Sequence, residues 1–277
     1  MSSVIERSKD LTEGRGRRSL NYWWRLIATG FSFQVFGIGG TLLASAVALV
    51  FLLIPQRLIC RKLAMRYIIS HAFRAYIHLL RGLGLLTCTT QDLDRLRDSG
   101  QLIVANHPSL LDVVFIISLV RNADCIVRAG LCRNLLTAAP VRAAGYIRNV
   151  PERLLQRAVV SLQEGNSLIV FPEGTRTRPG RPMKFLRGAA NIALMANKPV
   201  TPVVLTCEPA TLLKHEQWHC IAETPPRYTI RVLPELDVSK IIPEGMPQSK
   251  AARVLTRYLE QLFEEQLQQS VSSTRHS

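Results

Sequence analysis

Residues 101–112 read QLIVANHPSLLD and hold the clearest structural pattern in the chain. The first five residues, which are apolar except for Gln101, are typical of a buried strand, whereas Pro108 and Ser109 are good starting residues for a helix. His107 therefore follows a strand directly, and Asp112 lies within the first turns of the next helix. Because ligand sites in open α/β sheets gather at strand ends, this stretch also marks a candidate site.

The rest of this part of the chain shows a similar pattern, in which short apolar runs alternate with amphipathic stretches. This pattern is typical of an α/β fold, here a mostly parallel sheet flanked by helices. We predict one α/β domain over residues 85–246, followed at 247–277 by a C-terminal helix and a disordered tail. Strands are predicted at 101–105, 124–128, 167–171, 200–206 and 227–233, and helices at 108–120, 151–164, 185–197 and 247–268.

The N-terminal part of the chain has a different character. Residues 1–20 are polar and rich in Arg, Ser and Gly, and we predict a flexible basic arm. Residues 26–56 contain no charged side chain, and a helix of about 29 residues within this run reaches about 43 Å, more than a hydrocarbon core of about 30 Å. Aromatic side chains that favour the membrane interface precede this run. We therefore predict a membrane-associated helical segment over residues 21–84.

Two arrangements of the apolar run stay open at this point. Arg residues flank it on both sides, which conflicts with a simple single crossing under the positive-inside rule. A glycine cluster at Gly37, Gly39 and Gly40 lies near its middle and would permit a bend. The run is therefore either a re-entrant helical hairpin or a single tilted transmembrane span.

A basic stretch follows the apolar run. Residues 57–81 hold six Lys or Arg residues and no Asp or Glu, with apolar residues at helical spacing. A basic amphipathic helix of this kind can lie on an anionic bilayer, and its alternative is a domain helix with a solvated basic face. We favour the membrane surface because the stretch directly follows the apolar run.

The net charge narrows the class of partner. The chain carries a formal charge of +15 with a pI near 10.2, which favours anionic partners such as nucleic acid, an anionic membrane, or an acidic carrier or substrate. No helix-turn-helix, RNP-like motif or zinc-finger spacing supports nucleic-acid binding. The six cysteines are scattered without a C-x-x-C pair, so no metal site is expected.

The candidate site begins with His107 and Asp112. A carboxylate that accepts a hydrogen bond from one imidazole nitrogen fixes the tautomer and leaves the other nitrogen as a base. Such a pair can deprotonate an alcohol as it attacks a carbonyl carbon. The H-x4-D pattern occurs by chance, however, and a lone His at a strand end is more often structural.

A second candidate loop, FPEGTRTRPG at 171–180, also follows a predicted strand. Gly174 permits a tight turn and close backbone approach to a ligand. Arg176 and Arg178 offer planar guanidinium groups that suit phosphate, and Glu173 could orient an Arg or bind a substrate hydroxyl. Taken alone, the loop is better explained as an ordinary basic surface loop.

Together the two motifs resemble those of the lysophosphatidic acid acyltransferase family of glycerolipid acyltransferases. That family is marked by an N-H-x4-D motif, a G-x-[IF]-x-R motif, an F-P-E-G-T-R motif and a later apolar motif with Pro. This chain shows NHPSLLD at 106–112, GYIRN at 145–149, FPEGTR at 171–176 and PVTPVV at 199–204. The first and third motifs match specifically in order and spacing, and the resemblance covers about residues 85–235.

The resemblance implies roles for the residues of these motifs. His107 would be the general base and Asp112 its orienting partner, without a covalent acyl-enzyme. Oxyanion donors would be backbone N–H groups near the Gly174 turn. A region that binds the acceptor phosphate and the transition state would consist of Glu173, Gly174, Thr175 and Arg176, with a second phosphate contact from Arg148.

The implied reaction transfers a fatty acyl group to a lysophospholipid, in first place 1-acyl-sn-glycerol-3-phosphate. The expected partners are this acceptor, acyl-CoA or acyl carrier protein as co-substrate, and an anionic membrane; neither a cofactor nor nucleic acid is expected. Other acceptors, such as a lyso-ornithine lipid or a specialised metabolite, and thioester hydrolysis by a membrane-associated thioesterase remain alternatives. The expected location is a bacterial inner membrane with a cytoplasmic active site.

Overall fold

The structure is a computed structural model of the chain. It describes residues 19–53, 60–96, 100–132, 137–178, 180–213 and 216–274. The predicted basic arm at 1–20 lies outside these residues except for its last two.

One mixed sheet organises the described part of the chain. Its seven strands lie in the order β1-β7-β6-β2-β5-β3-β4, and every neighbouring pair is parallel except the antiparallel pair β6 and β7. The predicted mostly parallel sheet is therefore confirmed. The strands are β1 (Thr87–Gln91), β2 (Leu102–Ala105), β3 (Ala123–Val127), β4 (Ile147–Arg148), β5 (Ser167–Val170), β6 (Val200–Glu208) and β7 (Arg227–Val232).

Helices cover both faces of this sheet. The helices of the described residues are α1 (Leu20–Gln34), α2 (Gly40–Leu53), α3 (Arg61–Gly82), α4 (Asp112–Leu119), α5 (Ala138–Ala143), α6 (Pro151–Gln163), α7 (Gly188–Ala196), α8 (Val238–Ile241) and α9 (Gln248–Thr274). Alternate residues of the central strand β2 point to opposite faces. Ile103 packs in a core with α3 and α4, whereas Leu102 packs in a second core with α6, α7 and α9. The domain is thus a three-layer α/β/α arrangement.

The boundaries differ from the sequence prediction in a few places. Helix α4 begins at Asp112 and not at Pro108, because the Ser109 N–H donates to the Asp112 carboxylate within a turn. Strand β1, strand β4 and helices α5 and α8 were not predicted. Strand β1 reads TCTTQ, which carries no apolar pattern, and it is largely exposed. The last helix continues to Thr274, so the tail predicted to be disordered is helical over 268–274.

The apolar N-terminal run forms a continuous helix. Helix α1 passes through a π-helical turn at Val35–Gly39 into α2, and the residues that flank this turn keep right-handed helical angles. The bend that a helical hairpin needs at the glycine cluster is therefore absent from this segment. By length and composition, Leu20–Phe51 is the one described helix able to cross a membrane, with a mean hydropathy of 1.8. Only 12% of its most apolar stretch is buried by the rest of the chain.

Helix α3, which covers most of the basic stretch, packs against the domain. One face of α3 is buried against the domain through residues such as Met65, Ile69 and Leu80. Arg66 belongs to that face: its Nη2 lies 3.0 Å from Asp124 Oδ2, and Nε donates to the Ala144 carbonyl over 3.0 Å. Arg66 therefore anchors α3 to the sheet, so at least this cation of the stretch is neither solvated nor available to lipid.

Candidate active site

His107 and Asp112 form a hydrogen-bonded pair at the carboxyl end of β2. His107 Nδ1 and Asp112 Oδ2 are 2.8 Å apart, and the Ser109 N–H donates to the same Oδ2 over 2.6 Å. The Asp112 side chain is fully buried, whereas that of His107 is 20% exposed. With Nδ1–H donating to the carboxylate, Nε2 carries the free lone pair of the neutral imidazole. The structure thus brings the two residues of the predicted dyad together.

The environment of Asp112 perturbs its ionisation. Burial raises the pKa of Asp112 to about 6, although the hydrogen bond and charge of His107 and the Ser109 N–H act in the opposite direction. Its second oxygen, Oδ1, is also buried and has no hydrogen-bond partner among the described residues. A carboxylate desolvated in this way depends on the hydrogen bonds from His107 and the Ser109 N–H to compensate its charge.

The loop after β5 holds His107 from two sides. Because β2 and β5 are adjacent parallel strands, the loops at their carboxyl ends meet. The His107 N–H donates to Glu173 Oε1 over 2.9 Å, and the Thr177 N–H donates to the His107 carbonyl over 2.7 Å. The Thr177 hydroxyl donates to the same Glu173 oxygen over 2.7 Å. The Phe171 ring stacks on the imidazole with centroids 4.5 Å apart.

Gly174 is required by the geometry of this loop. Its φ is +64°, in the left-handed region, and an added Cβ would lie 2.8 Å from Leu186 Cδ1. A side chain at this position would therefore strain the backbone and would also require the exposed Leu186 side chain to shift. The Gly174 N–H donates to the Phe171 carbonyl over 3.1 Å, so this N–H is already engaged within the turn. That backbone N–H groups near this turn supply the oxyanion donors stays a prediction.

The predicted phosphate-binding residues differ in their placement. Arg176 Nη1 donates to the carbonyls of Leu212 and Leu213 over 2.7 and 3.0 Å, which ties this Arg to the segment after β6. Arg148 is exposed at the end of β4, three strands from β2 along the sheet, or about 14 Å at the usual strand spacing. The structure therefore brings Glu173 into contact with His107 and places Thr175 and Arg176 on the same loop, and it leaves Arg148 three strands away.

Several residues that support the site were not singled out from the sequence. Asn106 links the end of β2 to β6 through reciprocal 2.8 Å hydrogen bonds with the backbone of Leu205. Ser109, which is fully buried, has its hydroxyl 2.7 Å from the Tyr228 hydroxyl. Asn106 is the first residue of the NHPSLLD motif and Thr177 directly follows the FPEGTR motif, so both could have been suspected, whereas no sequence signal connects Tyr228 with residue 109.

An apolar cavity of about 690 Å³ lies between the N-terminal helices and the domain. Its lining includes Phe36, Leu43, Met65, Ile69, Phe73 and Tyr146. A smaller cavity beside it is lined by Leu111, the neighbour of Asp112, and by Tyr228. Phe33 and Tyr76 line both cavities, so together they extend from beside the dyad to the apolar helices.

The described residues contain no group of three or more His, Cys, Asp or Glu side chains placed to hold a metal ion. The expectation that the site works without a metal or cofactor remains a prediction.

Known proteins resemble this chain in sequence and in fold. Residues 87–206 match the family model described as Acyltransferase. The chain is 29% identical over 116 residues to a chloroplastic 1-acyl-sn-glycerol-3-phosphate acyltransferase of Brassica napus, a match that covers 39% of this chain and 33% of that protein. It is 28% identical over 160 residues to 1-acyl-sn-glycerol-3-phosphate acyltransferase alpha of Ovis aries, covering 53% of this chain and 52% of that protein. The matched part thus spans a third to a half of these relatives.

The fold has a counterpart among solved structures. The crystal structure of the 1-acyl-sn-glycerophosphate acyltransferase from Thermotoga maritima superposes with a TM-score of 0.68 at 21% sequence identity. The match covers 88% of this chain and 96% of that chain, and it shows that the two share a fold that includes most of both molecules.

The ionisation of Asp112 is directly testable. We expect its protonated carboxyl band in the infrared spectrum to give way to carboxylate as the pH rises through about 6, because burial raises the pKa of this group. The band is assigned by its loss in Asp112→Asn. A midpoint near 3.9, roughly the ordinary value for Asp, would contradict the described environment.

Proposed function

The chain belongs to the acyltransferase family whose model it matches over residues 87–206, and from that premise we propose that it transfers a fatty acyl group from a thioester to the free hydroxyl of a lysophospholipid. The family predicted from the sequence motifs is confirmed. The acceptor we propose is 1-acyl-sn-glycerol-3-phosphate, with phosphatidic acid as product, since the curated relatives are 1-acyl-sn-glycerol-3-phosphate acyltransferases.

The observation that carries this proposal is the His107–Asp112 pair. With Nδ1 held 2.8 Å from a buried carboxylate, Nε2 is the nitrogen that remains to act as a base. His107 would take the proton of the acceptor hydroxyl as its oxygen attacks the thioester carbonyl carbon. Asp112 would stabilise the imidazolium formed in that step. Collapse of the tetrahedral intermediate would break the carbon–sulfur bond, and the imidazolium would return the proton to the thiolate.

The loop after β5 would serve two purposes. Glu173 Oε1 is already occupied by the His107 N–H and the Thr177 hydroxyl, which supports a role in holding the base. Arg176 lies on the same loop with one guanidinium nitrogen fixed by two carbonyls, so its planar group is pre-oriented for the acceptor phosphate. Arg148, on the same sheet edge, is proposed to contact an anionic group farther from the reacting atoms.

The apolar regions of the chain fit the remaining parts of the substrates. The 690 Å³ cavity is lined mainly by apolar side chains, which suits an acyl chain, and it shares Phe33 and Tyr76 with the smaller cavity beside Leu111. The exposed helix Leu20–Phe51 supports a membrane location, where the acceptor resides. We propose that this membrane is a bacterial inner membrane, with the site on the cytoplasmic side. We also propose acyl-CoA or acyl carrier protein as the donor, because these two donors are anionic and the chain carries a formal charge of +15.

An acyl-transfer assay on the detergent-solubilised protein tests the proposal. We expect wild type to form phosphatidic acid from 1-oleoyl-glycerol-3-phosphate and a thioester donor, and His107→Ala to lose about 10³-fold in rate because the general base is gone. The matched control is His78→Ala, since His78 is exposed on α3 away from the dyad. Coenzyme A and carrier-protein thioesters are offered separately, and a lyso-ornithine lipid replaces the acceptor in a parallel series.

Each result of that assay has a distinct meaning. Product with a lyso-ornithine lipid alone would keep acyl transfer and replace the acceptor. Thioester loss at the same rate without any acceptor would identify a thioesterase. Activity of His107→Ala equal to that of His78→Ala would refute the proposed base.

Arg176 provides a test of the acceptor site. We expect Arg176→Ala to raise the KM for the phosphate acceptor by about tenfold, as for the loss of one charge-assisted hydrogen bond, and to leave the donor KM unchanged. Arg187→Ala is the control, because Arg187 is exposed at the start of α7. An increase confined to the donor KM would place the acceptor phosphate elsewhere.

Thr177 provides a test of how the base is held. Removing its hydroxyl in Thr177→Val takes one donor from Glu173 Oε1, which also accepts from the His107 N–H. We expect kcat to fall about tenfold with an unchanged acceptor KM, and Thr177→Ser to restore most of the rate because it keeps the hydroxyl. A Ser variant as slow as the Val variant would mean that packing, and not this hydrogen bond, matters.

A further inference from the structure

Residues 216–223, which follow β6 and precede β7, pack on the N-terminal helix α1. The Trp218 ring lies over Gly30, where an added Cβ would be 3.2 Å from the ring, and its centroid is 6.4 Å from that of Phe33. Arg25 of α1 is buried and donates to the Ala222 carbonyl over 2.9 Å and to the Glu223 carbonyl. A glycine at position 30 and a buried Arg at position 25 thus fix this segment against α1.

Trp218 nevertheless leaves about half of its surface exposed. Its exposure is 48%, similar to the 50% and 53% of Trp23 and Trp24 at the start of α1. Ile27, one turn before Gly30 on the same side of the helix, is 68% exposed. A half-exposed indole next to an exposed apolar helix is unusual for a surface in water, and Trp is enriched where a bilayer meets water.

We infer that residues 216–223 form a second membrane-contacting element, with Trp218 in the interfacial region of the bilayer beside α1. The partner is a lipid surface, because the exposed ring continues the exposed apolar surface of a helix long enough to cross a membrane. This inference rests on the proposed membrane location of α1. It assigns a lipid contact to a residue that lies almost two hundred positions from the N-terminal helix in sequence.

The position of this element relates it to the proposed active site. Leu212 and Leu213, shortly before the segment, provide the carbonyls that fix Arg176. Trp218 and Leu111 line the same small cavity, and Leu111 directly precedes Asp112. The lipid contact therefore lies on the side of the domain where an acceptor leaving the bilayer meets Arg176 and the dyad.

The chain has three tryptophans, Trp23, Trp24 and Trp218, which makes the contact measurable by fluorescence. One variant carries Trp23→Phe and Trp24→Phe, so that all emission comes from Trp218. The other carries Trp218→Phe and reports on α1 alone. Both full-length proteins are reconstituted into vesicles of phosphatidylcholine and phosphatidylglycerol, in which the phosphatidylcholine is brominated either near the headgroup end or near the methyl end of its acyl chains.

We expect bromine near the headgroup end to quench Trp218 about as strongly as it quenches the Trp23 and Trp24 pair, and bromine near the methyl end to quench Trp218 less. Aqueous iodide should quench the fluorescence of Trp218 in vesicles only weakly. It should quench free tryptophan in the same buffer more strongly, and this sample serves as the standard. If Trp218 is quenched by iodide and not by bromolipid while Trp23 and Trp24 are quenched by bromolipid, the inference fails and the membrane location of α1 stands. If no tryptophan responds to bromolipid, both fail.

A second measurement keeps the inference testable if the Trp23→Phe, Trp24→Phe variant folds poorly. The quenching of wild type minus that of Trp218→Phe gives the Trp218 contribution with both α1 tryptophans in place. A difference of zero in bromolipid vesicles would overturn the inference in the same way.

Discussion

The pairing of β2 with β5 is the constraint on which the site depends. Both strands are buried on both faces, and their parallel register sets Val104 opposite Val170. Strands that run side by side in one direction end at the same edge, so the loop that carries His107 and the loop that carries Glu173 must emerge together. Two motifs some sixty positions apart become one site through this pairing alone.

Within that site, burial of the Asp112 carboxylate costs free energy. A charge without exposure is unfavourable unless donors compensate it, and here the imidazole and the Ser109 N–H converge on one oxygen. The same burial raises the pKa of Asp112 to about 6. The loop after β5 then fixes the backbone of His107 at both its N–H and its carbonyl. The imidazole ring is thus oriented by Asp112, and the backbone that carries it is held by the loop after β5.

The N-terminal helices complete the molecule by covering apolar space that the α/β domain leaves open. Helix α3 is anchored through the buried Arg66–Asp124 pair, and the 690 Å³ cavity lies between α3 and the helices before it. Contacts from Trp218 and Arg25 attach the segment after β6 to α1. The part of the chain proposed to meet lipid is therefore continuous with the walls of the candidate site, which suits a substrate that stays in the bilayer.

The sequence by itself determined the α/β class, most strands and helices, the apolar helix and the His107–Asp112 pair, because each is encoded by local periodicity or short spacing. The sequence could not reveal β1 or β4, because these strands lack an apolar pattern. It also left open whether the chain bends at Gly37 to Gly40, where the structure has a continuous helix. Only the tertiary structure decided that Arg66 is a buried anchor, that Thr177 and Glu173 hold His107, and that Tyr228 and Trp218 adjoin the site. These contacts join residues far apart in the chain, and strand order, which no local pattern specifies, is what brings them together.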